Sequence, residues 1–171
     1  MEPYRHTVAE VENHARQWWR QRGLRTPTGA GMNKTPIRWS TYTWNCWSGC
    51  ERISPACRFC YAETKAERMR GTPAFPNGFA LTYRPHKLRD PLKIKEPALV
   101  FVNSMSDFFD ERVPDEWRDR LVDIMRVTPH LQFQVLTKRP RVLADYCNRR
   151  DIPVIGDRAH TKVLFANCRG L

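Results

Sequence analysis

Apolar residues recur along this chain at two alternating periods, every three to four positions and every two, and the alternation predicts its elements. Val8, Val11, Ala15, Trp18 and Trp19 fall at helical spacing with charged residues between them, which predicts an amphipathic N-terminal helix. Thr26-Pro27-Thr28-Gly29-Ala30-Gly31 then reads as a linker, and Met32 stands as an alternative start before the first strand. Alternating Trp, Thr and Tyr over residues 37–44 predict that strand. A cysteine-rich loop follows, then a helix over 61–70 with Ala62, Ala66 and Met69 on one face. Residues 71–97 are rich in Pro and Gly and predict a long irregular excursion. The continuous apolar run over 98–103 predicts a strand covered on both faces. Pro114 and Asp115 open a helix in which Trp117, Leu121, Ile124 and Met125 share a side. A strand over 131–136, a helix over 141–150 and a last strand over 163–166 complete the reading.

Strands alternating with helices imply an α/β fold, a parallel sheet with helical crossovers. In such sheets chemistry gathers at the carboxyl ends of the strands. Three polar stretches land there: the cysteine loop, Asn103-Ser104-Met105-Ser106-Asp107, and Thr137-Lys138-Arg139-Pro140. They are predicted to face one shared mouth.

Composition narrows the class. A hydrophobic fraction of 41% and an aromatic fraction of 11% belong to a folded chain. The net charge of +11 favours an anionic partner, nucleic acid first, although the basic residues are scattered and form no dense tract. No apolar stretch is long enough for a bilayer and the N-terminus lacks a signal-peptide core, so the expectation is a cytoplasmic protein with no membrane partner.

The cysteines carry the chemistry. Cys46, Cys50, Cys57 and Cys60 crowd together while Cys147 and Cys168 stand apart, which is not the even spread of a disulfide scaffold. Thiolates this close in sequence converge on a metal or an iron–sulfur cluster. Two ligand sets are open. Zinc held by Cys46, Cys50, Cys57 and Cys60 would make a closed structural site, though without the paired two-residue knuckles of zinc ribbons, and would suit a non-enzymatic nucleic-acid-binding module. A cluster held by Cys50, Cys57 and Cys60 alone keeps one iron free, and Phe59 offers it an apolar shield.

Thr43-Trp44-Asn45, Gly49-Cys50, Ser54-Pro55, Cys57 and Cys60-Tyr61-Ala62-Glu63 resemble the three-cysteine signature of the phage Gp37/Gp68 family, also called DUF5131. The resemblance continues through Phe101-Val-Asn-Ser-Met-Ser-Asp107, Val113-Pro-Asp-Glu116 and Phe133-Gln-Val-Leu-Thr-Lys-Arg-Pro140, and covers residues 34–145. That family is similar to the radical S-adenosylmethionine enzymes, whose fold is a partial (β/α) barrel. The resemblance implies such a barrel over residues 32–150, with residues 1–31 a helical extension. Family members continue past this length into a Ser-Val-Glu-type strand, so residues 151–171 are expected to be a divergent tail and the barrel incomplete at the C-terminus, which would bear on activity.

What the resemblance implies for the site is specific. Cys50, Cys57 and Cys60 would ligate a [4Fe–4S] cluster, and the open iron would take S-adenosylmethionine. Asn103, Ser104 and Ser106 would hydrogen-bond the ribose or methionine part, against the plainer expectation that they cap a turn. Asp107 would accept from a hydroxyl or amine. Thr137, Lys138 and Arg139 would complete the mouth, the two cations holding a carboxylate or phosphate. The substrate is unknown, with nucleic acid favoured by charge, and the electron donor would be a reductant such as a flavodoxin or ferredoxin. Cys46 falls where the family commonly carries proline and is expected to be a bystander. Trp44 is expected in the core, and His86, His130 and His160 show no ligand spacing.

Overall fold

The computed structural model describes Met32, residues 34–150, Ile152 and the backbone of residues 162–165. The predicted N-terminal helix and linker and most of the predicted tail lie outside the described residues. Strands β1 (Tyr42–Trp44), β4 (Ala98–Val102), β5 (Leu131–Leu136) and β6 (Lys162–Phe165) form one sheet in the order β1-β4-β5-β6. β1 and β4 pair in parallel, as do β4 and β5, each link crossing over through a helix. These are α1 (Tyr61–Arg68) and α2 (Asp115–Arg126), and α3 (Pro140–Arg149) follows β5. The crossover rhythm thus produces the parallel sheet that the sequence predicts.

Three details differ. β1 is shorter than predicted, because residues 35–41 fold back on themselves: the Thr35 amide donates to the Thr41 carbonyl and Lys34 bridges antiparallel to Tyr42. The excursion over 71–97 is not wholly irregular. It supplies β3 (Thr82–Tyr83), which pairs antiparallel with β2 (Trp47–Ser48) just ahead of the cysteine loop. Finally, β6 runs antiparallel to β5, with Lys162 beside Leu136, so the sheet is mixed at that edge.

Side-chain alternation sorts the sheet into two faces. Trp44, Val102 and Val135 form one cross-strand row, and Val100 and Phe133 lie on the same face. All are nearly inaccessible and pack in one cluster with Leu121 and Ile124 of α2 and Leu143 and Tyr146 of α3. Trp44 sits 5.6 Å from Phe133 by ring centroids and its indole N–H donates to the Lys87 carbonyl at 2.8 Å, so it belongs to the core as predicted. Thr43, Phe101 and Gln134 form a row on the opposite face, from which Phe101 reaches a cavity. Trp39 covers part of that face, its ring 4.6 Å from Phe101.

Charge holds the helices together as well as apolar burial. α2 begins with Asp115 and Glu116 and ends with Arg126, matching the helix dipole at both ends. Asp115 pairs with Arg118, Arg149 and Arg150, and Asp119 with Arg150 and the Tyr146 hydroxyl, which ties α2 to α3. Burial works against ionisation of both carboxyls, yet these partners hold both below the usual carboxylate range. A lowered folded value makes the stabilisation complete above the unfolded value of about 4 and removes it as pH falls through the folded one. The urea midpoint is therefore expected to fall between pH 5 and pH 3, by less in Asp119→Asn; a fall of equal size in the variant would show that the Asp119 pairs contribute nothing. Among the described residues no helix is long and apolar enough to cross a membrane.

Candidate functional site

The site begins at a glycine. Gly49, between β2 and Cys50, has φ +86°, the left-handed region that side chains disfavour. Its backbone lies against the chain at Phe79 and Ala80, so closely that a Cβ built there would stand 2.2 Å from the Phe79 carbonyl oxygen. The Gly49 amide donates to the Met105 carbonyl at 2.9 Å, which joins the start of the cysteine loop to the end of β4. Ser54 and Pro55 then nucleate a single 3₁₀ turn over Pro55–Cys57, and the Cys57 amide donates to the Ser54 carbonyl. Cys60 occupies the N-cap of α1, beside the positive end of that helix.

This folding brings Cys50, Cys57 and Cys60 to the wall of one cavity of about 460 Å³. Asn103, Ser104, Ser106, Asp107, Thr137, Lys138 and Arg139 line the same cavity, so the three predicted strand ends do share a mouth. Every residue singled out from the sequence for cluster or cofactor binding is there. Among the described residues, no group of three or more His, Cys, Asp or Glu side chains is arranged as a metal-ion site. Cys46 is absent from the lining; it is fully buried in the core with Trp44 and Trp47. Burial, with Asp90 adding to it, pushes the Cys46 thiol well above its ordinary value.

Cys50 and Cys57 differ in electrostatics. Burial and the Asp107 carboxylate push the Cys50 thiol up to about 11, so a metal would bind there only by displacing a firmly held proton. Cys57 is shifted the other way. Burial opposes the shift, but hydrogen bonds from the Ile53 and Ser54 backbone and the Ser54 hydroxyl, with Lys138 nearby, lower its thiol below the usual range.

Strand-end residues divide into those already engaged and those with capacity left. Asp107 accepts from the Thr137 hydroxyl at 2.6 Å, from the Phe109 and Lys138 amides at 2.9 Å, and pairs with Arg139 at 3.2 Å. Both its oxygens are occupied by protein donors, so its expected role as an acceptor for a ligand gives way to that of a tie between β4 and β5. Arg139 is likewise engaged. Its side chain is 2% exposed, it contacts Asp107, Asp110 and Glu111, and it donates to the Glu51 carbonyl at 3.1 Å. It therefore anchors the cysteine loop, whereas the sequence reading expected it to meet an anion at the mouth. Ser104 donates to the Asn45 side chain and Ser106 to the Trp47 carbonyl, which ties the end of β4 to the segment around β2 rather than capping a local turn.

Asn103 and Lys138 keep capacity. Asn103 has φ +55°, uncommon outside glycine but tolerated by Asn, and its Oδ1 accepts from the Cys46 amide at 3.2 Å. Its Nδ2 is buried, makes no hydrogen bond and belongs to a residue on the cavity wall. A buried amide donor left open is costly unless something fills its place. Lys138 is exposed at the mouth and its ammonium forms no ion pair among the described residues. The sequence assigned no role to Gly49, Asn45 or Asp110, which position the loop; Asn45 and Gly49 stood only within the motifs of the family resemblance, and Asp110 carried no signal.

The cavity wall thus collects three thiols, one buried amide donor without a partner and one ammonium. Phe79, Phe101 and Leu136 add apolar surface to the same lining.

The family described as "Protein of unknown function (DUF5131)" matches residues 34–163. No curated protein and no solved structure matches the chain. The family match spans well over half of the chain, which belongs to that family. It also runs past Arg150, into the segment that the sequence motifs had left unmatched.

Proposed function

We propose that this DUF5131 protein is a radical S-adenosylmethionine-type iron–sulfur protein built on a partial barrel and working in the cytoplasm with a flavodoxin- or ferredoxin-like reductant. The observation that carries the reading is the separation of the cysteines: Cys50, Cys57 and Cys60 line the cavity while Cys46 is buried in the core. A closed four-thiolate zinc site needs the fourth sulfur; an open cluster does not. The resemblance of the motifs to the phage Gp37/Gp68 proteins points the same way.

Cys50, Cys57 and Cys60 would hold a [4Fe–4S] cluster. Once bound there, such a cluster would supply one-electron reductive cleavage of S-adenosylmethionine, the chemistry that leads to hydrogen abstraction from a substrate. The protein's part is placement and exclusion of water. Asn103 Nδ2 would donate to a carboxylate or hydroxyl of the cofactor, filling its open hydrogen bond. Lys138 would neutralise an anionic group at the mouth, and Phe101 and Leu136 would keep the interior dry.

Anaerobic reconstitution of the full chain with iron and sulfide tests this. A brown protein with about four irons per chain is expected, its colour abolished by Cys57→Ala and retained in Cys46→Ala. With dithionite and S-adenosylmethionine it should release 5′-deoxyadenosine. A colourless protein holding one zinc, or a colour that survives Cys57→Ala, overturns the reading. A cluster that yields no 5′-deoxyadenosine would mark an inactive member.

A further inference from the structure

The loop and helix beside the cavity carry a surface that continues outward from its lining. Phe59 is 88% exposed and Tyr61 59%, far from the usual burial of such rings, and the Arg58 guanidinium lies over the Phe59 ring at 5.5 Å. On α1, Lys65 and Arg68 follow Tyr61 at steps of four and three residues, which places all three along one helix face. The other face, Ala62 and Ala66, packs with Phe75 and Met105. The nearby acids are already paired: Glu63 with Arg52, Glu67 with Arg70 and Glu51 with Arg112. Arg58, Lys65, Arg68 and Lys138 form no ion pair among the described residues. Phe59, Tyr61 and Lys138 line the cavity, and Arg58 beside Phe59 and Lys65 and Arg68 further along α1 continue a row of cations away from it, on a chain of net charge +11.

We infer that this strip binds single-stranded nucleic acid, with phosphates along Arg58, Lys65 and Arg68 and one base stacked on Phe59 at the lip of the cavity. Charge complementarity selects a polyanion, and the exposed ring selects one with accessible π-faces. A duplex keeps its bases stacked internally and cannot offer one to Phe59 without unpairing. The inference rests on the proposed function only in naming a substrate class for the same cavity; the binding itself needs no cluster.

Fluorescence anisotropy with a labelled oligonucleotide of about sixteen nucleotides tests it, using the full chain before and after cluster reconstitution. Saturable, salt-dependent binding is expected in both forms. The doubly substituted Lys65→Gln, Arg68→Gln protein should show a plot of log affinity against log salt shallower by about 1.4, at roughly 0.7 per lost phosphate contact. Phe59→Ala should weaken binding about tenfold with the slope unchanged, because stacking releases no counterions. Equal affinity for a duplex of the same sequence, no saturable binding, or a slope untouched by the double substitution overturns the inference. Loss of the cluster with binding intact would count against the proposed function alone; 5′-deoxyadenosine formation without strand binding would count against this inference alone.

Discussion

Replacing Arg139 by methionine is expected to lower stability by about 3–5 kcal/mol, the range for removing one partner of a buried ion pair. Methionine keeps an unbranched apolar stem but neither the charge nor the full reach of the side chain, and Asp107 and Asp110, whose side chains are 8% and 1% exposed, would lose the cation between them. The damage should not stay local. Arg139 donates to the Glu51 carbonyl at 3.1 Å while the Asp110 carboxylate accepts from the Glu51 amide, also at 3.1 Å, so this residue next to Cys50 is gripped from both sides. Cluster yield on reconstitution should therefore fall together with the urea midpoint. Arg139→Lys restores charge without the planar fork and should recover part of each. A stability change below about 1 kcal/mol in Arg139→Met would mean that the surrounding carboxylates relax without it.

Gly49→Ala is the second large effect, and it acts through the backbone. The substitution places a Cβ 2.2 Å from the Phe79 carbonyl oxygen and 2.6 Å from the Ala80 carbonyl, at a φ of +86°. Left-handed backbone alone costs an alanine about 1–2 kcal/mol, and the clash is with main chain, which cannot rotate aside. A loss of about 3 kcal/mol or more is expected, measured as the chemical denaturation midpoint. The strand pair β2–β3 should part first, since Gly49 follows β2 directly and Phe79 and Ala80 precede β3. Faster amide exchange at Trp47 and Tyr83 would report it. An alanine variant with unchanged midpoint and unchanged exchange would show that the two segments are free to move apart. By contrast, Gly71, at φ +82° with nothing within 4 Å, carries only the conformational penalty.

The differing legibility of these residues has a physical basis. Periodicity located β4, β5, α2 and α3 to within a residue or two, because each buries one face against the same core and the pattern of that face is written in consecutive positions. The cysteine loop was readable for a similar reason, its thiols being close in sequence. β2 and β3 were not. Two residues each are too short for a period, and their pairing brings Trp47 beside Tyr83 across the whole of α1. Nor did the sequence separate Arg139 from Lys138. Adjacent and equally basic, they diverge because one side chain turns inward to Asp107, Asp110 and Glu111 while the other faces the mouth.

By itself, then, the sequence determined that this is an α/β chain whose polar strand ends and clustered thiols belong to one place, since local pattern and short spacing are properties of neighbouring residues. Only the tertiary structure decided which thiols share the cavity and which polar groups there keep free capacity. Cys46 is four residues from Cys50 yet lies in the core, and Asp107 and Arg139 satisfy each other across two strand ends. Whether a polar group is free depends on partners distant in sequence, and only the folded chain brings those partners together.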